Sequence, residues 1–296
     1  MTEGVVYDLG YEPHDGPRLG RGAAVRATIV DGLRRVLGLR RKARKKIFPW
    51  VLLAVAAIPA IVFVGLAFFV GEFTPDAESP FGGHAEYFNL AGTMVMIFAA
   101  LAGPELLIPD RNEGVLAVYS SRPMRAIDYL AARGAALGAV VGFFLLVPQL
   151  LMYLGFASLD ADGFASAVVA NADDLLQIVL TTAVYVIAYG APSLLIAVFA
   201  RRSAPAAGAY LAVMLVLTGI AHGIAESGAG AGLSKLAALL ALFEHPHVVR
   251  DWIFDRSSTG LVAVDVGWSA WVSLAVVLGI AAVAIVVATF RYRKEM

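Results

Sequence analysis

Hydrophobic residues in this chain gather in six long runs, at about residues 49–70, 88–108, 134–156, 175–200, 205–225 and 266–290. Each run can cross a bilayer core of about 30 Å, which takes roughly 20 helical residues. The runs are too long and continuous for barrel strands, which alternate every second residue. A segment in hydrocarbon must also satisfy its own backbone hydrogen bonds, and a helix does so. The pattern predicts an all-α integral membrane protein. A six-helix transmembrane domain fills residues 49–296, behind a cytoplasmic arm at residues 1–48.

The polar stretches predict further elements. Residues 21–46 set Val25, Ile29, Leu33, Val36 and Leu37 near one helical face. Arg26, Arg34, Arg35, Arg40 and Arg41 occupy the remainder, and Lys42, Arg44, Lys45 and Lys46 follow. A basic amphipathic helix beside a first span is expected to lie in the headgroup plane of the cytoplasmic leaflet, with membrane lipids as partners. A nucleic-acid partner is not expected, because the run abuts a span and belongs to no binding module. Residues before Arg21, including Tyr7 and Pro13, read as an extended segment, either packed on a soluble partner or disordered.

Between the fifth and sixth runs, residues 226–265 are not a plain hydrophilic loop. Ser227-Gly228-Ala229-Gly230-Ala231-Gly232 reads as a hinge. Residues 233–243 are apolar but too short to span. Pro246 breaks them, and residues 248–254 form a second short piece with Trp252 at the interface. Short re-entrant outer helices or a membrane-surface rim are expected here.

Charge supplies the orientation. All 23 Lys and Arg except Lys235, Arg250 and Arg256 fall in segments on one side of the predicted bilayer. Two opposite loops carry only acids: Glu72, Asp76, Glu78 and Glu86 in one, Asp160, Asp162, Asp173 and Asp174 in the other. Cytoplasmic loops retain Lys and Arg, so both termini are expected in the cytoplasm, on a multi-pass protein of the plasma membrane. Only 16% of residues are charged, against about 25% in soluble domains. The net charge of zero averages over this segregation and identifies no partner. The chain has no cysteine, which excludes disulfides, thiolate metal sites and a Cys nucleophile. The polar N-terminal stretch does not read as a cleavable signal peptide, and the first span is the expected targeting signal.

The most specific local signal lies between the second and third spans. It runs Pro109-Asp110-Arg111-Asn112-Glu113-Gly114-Val115-Leu116-Ala117-Val118-Tyr119-Ser120-Ser121-Arg122-Pro123-Met124-Arg125, then Asp128-Tyr129-Leu130. Pro109 and Asp110 are expected to end one helix and start a short one, with Asp110 as N-cap. That helix would present Glu113, Leu116 and Val118 or Tyr119 to the cytoplasm, and Pro123 would break it. A short helix hung from two spans is a lever, because force on it moves both.

This loop resembles the inner loop of type-2 ATP-binding-cassette (ABC) exporter permeases, and the resemblance extends over nearly the whole chain. It implies a membrane subunit of an ATP-driven exporter, in which the loop is a coupling helix docked on a separate ATPase. The implied coupling residues are Asp110, Arg111, Glu113, Gly114, Leu116, Tyr119, Ser120, Arg122, Pro123, Arg125 and Tyr129. It implies two permeases, as a homodimer or paired with a similar chain, and a substrate path lined by the second and fifth spans. It also implies that the short helices between the fifth and sixth runs gate the outer end of that path. The long arm before Arg21 departs from the shorter family members. ATP and Mg belong on the partner, since the chain has no Gly-x-x-x-x-Gly-Lys-Ser/Thr phosphate loop.

Other chemistry is expected to be absent. Glu244, His245 and His247 are close in sequence but lack the i, i+4 spacing of a helical metal pair, and read as a solvated rim. His222 reads as an interfacial histidine. Glu105 is either an intramembrane functional acid or part of a salt bridge near the headgroups. Gly267-Trp268-Ser269 lacks the second Gly of a nucleophile elbow. Gly134, Gly138 and Gly142 repeat along one face and read as a helix-packing stripe rather than a dimer seam. An intramembrane lipid-modifying enzyme and a passive channel are the rival classes.

Overall fold

The computed structural model describes residue 16 and residues 19–39, 43–73, 83–120 and 124–295. The described residues are mostly helical and contain no strand. Six helices are long and apolar enough to cross a membrane. They are α2 (Ala43–Phe73), α3 (His84–Asn112), α5 (Ala126–Ser158), α7 (Ala172–Phe199), α8 (Ser203–Glu226) and α12 (Ala270–Tyr292). The shorter helices are α1 (Arg21–Val36), α4 (Val115–Ser120), α6 (Phe164–Ala170), α9 (Ala231–Ala238), α10 (His245–Ile253) and α11 (Val262–Asp265).

Helices α3, α5 and α7 form the centre, and their mutual packing carries most of the core. α12 lies against α7, α8 against α3, and α2 against α5. The centre is tight because small residues sit at the crossings. A Cβ on Gly103 of α3 would stand 2.1 Å from Ser193 Oγ of α7. Glycine is required there, and Ser193 Oγ donates to the Ala99 carbonyl at 2.5 Å. Large apolar side chains such as Ile61, Phe68, Val283 and Phe290 stay exposed on α2 and α12. Lipid would cover these faces, since lipid tails are as apolar as the side chains.

The ends of the bundle differ. The basic end gathers α1, the α3–α4 junction, the start of α5, the α7–α8 turn and the end of α12. The cap end gathers α9, α10 and α11. The grouping matches the one read from charge, and α7 and α8 form a tight hairpin whose turn is residues 200–202.

The α3–α4 boundary differs from expectation. Helix α3 continues through Pro109 to Asn112, so Asp110 is inside a helix and is not an N-cap. The break comes at Gly114, whose φ of +69° favours glycine. Helix α5 begins at Ala126, ahead of the apolar run at 134–156, and Arg133 within it is buried instead of marking a membrane surface. Helix α2 runs without a break across residues 48 and 49. The segment around Tyr7 and Pro13, and Arg40, Arg41, Lys42, Asp76 and Glu78, lie outside the described residues.

Candidate functional site

The apolar face of α1 packs on protein. Val25, Leu33 and Leu37 pack against the core formed by α3 and α5. Gly32 permits the close approach, since a Cβ there would lie 2.7 Å from the Ala136 Cβ. This docking assembles a charge network around the buried Asp110 and Arg133, with Asp31 half-exposed at its edge. Asp110 Oδ1 accepts from Arg35 Nη1 at 2.7 Å. Asp110 Oδ2 accepts from Arg133 Nη2 at 2.5 Å and from the Tyr129 hydroxyl at 2.8 Å. Asp31 Oδ2 accepts from Arg133 Nη1 at 2.9 Å and Arg35 Nη2 at 3.0 Å.

Two acids and two guanidiniums therefore balance in one cluster that ties α1, α3 and α5. Burial by itself would raise the Asp31 carboxyl. The hydrogen bond from Arg133 and the charges of Arg35 and Arg133 outweigh it and hold the group below the usual carboxylate range. Buried charges tolerate such a position only when paired and hydrogen-bonded.

The cluster reaches the loop through aromatic rings. Arg133 Nη2 also donates to the Tyr119 hydroxyl at 3.3 Å. The Tyr119 ring lies 5.3 Å from Tyr129, which stacks on Tyr292 of α12 at 5.5 Å and 23°. Burial raises the Tyr119 phenol despite the opposing charge of Arg133, so it stays protonated.

The expected loop residues separate into groups. Asp110, Tyr119 and Tyr129 join the cluster. Arg111 reaches the end of α7, donating to the carbonyls of Val198 and Ala200. A cation there satisfies orphan carbonyls and complements the helix dipole. Asn112 Nδ2 donates to the Arg201 carbonyl at 3.0 Å, tying α3 to the α7–α8 turn. Glu113 and Gly114 form the exposed corner. Leu116 turns inward and is only 4% exposed, against the expectation of a cytoplasmic face, whereas Val118 is 54% exposed. The reason is amphipathic. Leu116 and Tyr119 are three residues apart and share the face turned to the bundle.

Arg125 precedes α5 as its N-cap, and its backbone N–H donates to Asp128 Oδ2 at 2.9 Å. Asp128 also accepts two hydrogen bonds from Arg21, at 2.8 and 2.5 Å, which pins the start of α1. Arg122, Pro123 and the Ser120 side chain lie outside the described residues.

Sequence reading missed Arg21, Asp31, Arg35, Asp128 and Arg133 as site residues. A signal was present. Asp31 is the lone acid among residues 21–46, and Arg35 follows it by one helical turn.

At the cap end, the solvated-rim reading is overturned. Glu244, His245 and His247 are all buried. Arg250 Nη1 donates to His247 Nδ1 at 3.1 Å, and Tyr185 Oη is 2.9 Å from the same nitrogen. That leaves Nε2–H to donate to Tyr189 Oη at 3.2 Å, and Tyr189 donates on to the Phe243 carbonyl. Burial, then the charge of Arg250, pushes the imidazole down to about 3, so it is neutral. Glu244 pairs with His222 and accepts from the Val262 N–H at 2.9 Å. The Ser273 hydroxyl is 3.0 Å from His245 Nδ1. The expected helix at residues 233–243 is α9, which ends at Ala238, and then turns into α10. α10 packs on α7 and α12, where its histidines find polar partners, and on α3, where Gly92 leaves room for the His247 ring.

A family model described as ABC-2 family transporter protein matches residues 54–295. No individual curated protein matches the chain.

Proposed function

The chain belongs to the ABC-2 family of transporter membrane proteins, and from that premise we propose that it is the permease subunit of an ATP-driven exporter. A separate ATPase, carrying ATP and Mg, docks at the basic end around Glu113, Gly114 and Val118. Two permeases assemble, either two copies of this chain or this chain and a similar one. The basic end faces the cytoplasm of the plasma membrane, following the positive-inside rule.

One observation carries the reading. The exposed corner at Glu113 and Gly114 is joined on both sides to the buried cluster, through Asp110 and through Tyr119. A push on that corner reaches α1, α3 and α5 together, because paired buried charges resist separation. Arg111 and Asn112 pass the same displacement to the α7–α8 hairpin. The loop thus acts on helices rather than flexing alone, as a coupling lever needs.

The test is cross-linking in membranes, which the absence of cysteine makes clean. A single cysteine at Val118 should cross-link to the ATPase purified with the chain, and the yield should change between ATP-bound and nucleotide-free states. Transport that continues without any ATPase would favour a passive channel. No cross-link from Val118, with the ATPase still bound elsewhere, would remove this loop as the docking element.

A further inference from the structure

The basic-end halves of α5, α7 and α12 do not close on one another. α7 packs closely on both neighbours, while α5 and α12 meet sparingly. A cavity of about 290 Å³ remains between them. Its walls carry Gly134 and Gly138 of α5, Gly190 of α7, and Ala284 and Ala288 of α12. Ile127 and Ile285 on its border are exposed, so it opens sideways on the face that lipid covers.

The glycine repeat takes on a specific meaning here. A Cβ on Gly138 would meet Val186 at 3.2 Å, so that position serves helix packing. A Cβ on Gly134 would meet only Leu194, at 3.9 Å. Helix contact does not require glycine at 134; its absent side chain leaves space. Gly142 is buried outside the cavity, with no atom within 4 Å of an added Cβ.

Length and charge identify the occupant. Along α5 the groove runs from Ile127 to Gly138, about 16 Å at roughly 1.5 Å per residue. That is about half of a ~30 Å hydrocarbon core, the depth of one leaflet. The volume, spread over that length, suits one polymethylene chain and is far narrower than a helix of about 10 Å. Two arginines lie just beyond the groove's lining residues at the basic end, and the acid beside the first, Asp128, is paired with Arg21. Arg125 is exposed two residues before Ile127. Arg291 is half-exposed three residues beyond Ala288 on the same helical face, and it also pairs with Glu295 at 3.3 Å.

We propose that this groove binds an anionic phospholipid of the leaflet at the basic end, with one acyl chain in the cavity and the headgroup toward Arg125 and Arg291. Lipid tails match the wall in polarity, so retention comes from close packing and from the arginines rather than from transfer out of water. The proposal does not depend on the exporter reading.

Native mass spectrometry of the full chain, released from nanodiscs of equal phosphatidylglycerol and phosphatidylcholine, tests it. The parent should retain phosphatidylglycerol. Gly134→Leu with Ala284→Leu fills the cavity and should lower retention at least tenfold, while Gly142→Leu should keep it. Arg125→Gln with Arg291→Gln should remove the preference for phosphatidylglycerol over phosphatidylcholine. Equal retention by the filled variant and the parent overturns the proposal. So does a filled variant that keeps its lipid but loses dimerisation, which would make a second copy the occupant. A measurement on the parent alone guards against misfolding. Phosphatidylglycerol with a photoreactive acyl chain should label residues 127–138 and 281–288 above the exposed face of α2. Uniform labelling sinks the assignment.

Discussion

Arg133 Nη2 donates to Asp110 Oδ2 at 2.5 Å, and both side chains are withdrawn from solvent. The pair joins the last turn of α3 to the first turns of α5, across the loop that carries α4. Arg35 and Asp31 of α1 complete it, so a helix that looks peripheral is locked into the transmembrane core.

Removing one member should therefore be costly. Arg133→Met leaves Asp31 and Asp110 with Arg35 as the remaining cation of the cluster, and breaking a buried pair this way costs about 3–5 kcal/mol. Equilibrium unfolding in mixed micelles should show a loss near the lower end, because Arg35 persists. A loss below about 1 kcal/mol, the range of an exposed surface pair, would mean that the cluster is solvated.

The two faces of α4 should respond differently. Leu116→Ala should lower stability by about 2–5 kcal/mol, the range for truncating a buried leucine, as read by the thermal midpoint of the purified chain. Glu113→Ala with Val118→Ala should leave that midpoint unchanged. It should reduce ATPase copurification about tenfold, the equivalent of about 1.4 kcal/mol. Equal ATPase binding by parent and double variant would count against docking at this corner.

The cap should loosen in acid. His247 is neutral in the fold with its pKa pushed down to about 3, against about 6.5 when unfolded. The unfolded chain then binds the extra proton between these values, so stability rises with pH across that window. It is fully present above about pH 6.5 and is lost progressively as pH falls toward 3. His245, also lowered chiefly by burial, acts in the same sense. His247→Asn should flatten part of this dependence between pH 6.5 and 4.5 in thermal unfolding. An unchanged slope would place the sensitivity elsewhere.

The α3–α7 crossing should tolerate no added methyl. Gly103→Ala drives a Cβ onto Ser193 Oγ and should destabilise by about 1–3 kcal/mol, as overpacking does. Ser193→Ala in the same chain should recover part of the loss, since it removes the nearest atom. A double-mutant cycle on unfolding free energies would show the coupling. Simple additivity would mean that the helices separate to accommodate the methyl.

The membrane architecture was readable from the sequence because hydrocarbon imposes a length and a backbone rule on any chain that crosses it. Six apolar runs and the sorting of Lys and Arg therefore predicted the spans and which loops share an end, and α2, α3, α5, α7, α8 and α12 follow them. The family was legible through the Asp110–Arg125 stretch and the arrangement around it. Side-chain direction was not legible. Arg133 read as the edge of a span because a lone arginine in an apolar context normally marks a membrane surface. Only the fold brings Asp31 and Asp110, about 80 residues apart in the chain, to the same guanidinium and makes its burial tolerable. His245 and His247 read as rim for the same reason. Their partners, Ser273, Tyr185 and Tyr189, come from α12 and α7, and local spacing holds no record of which distant helix will satisfy a polar group. Leu116 likewise turned inward because tertiary packing, not the short α4 pattern, decided which side of that helix faces the bundle.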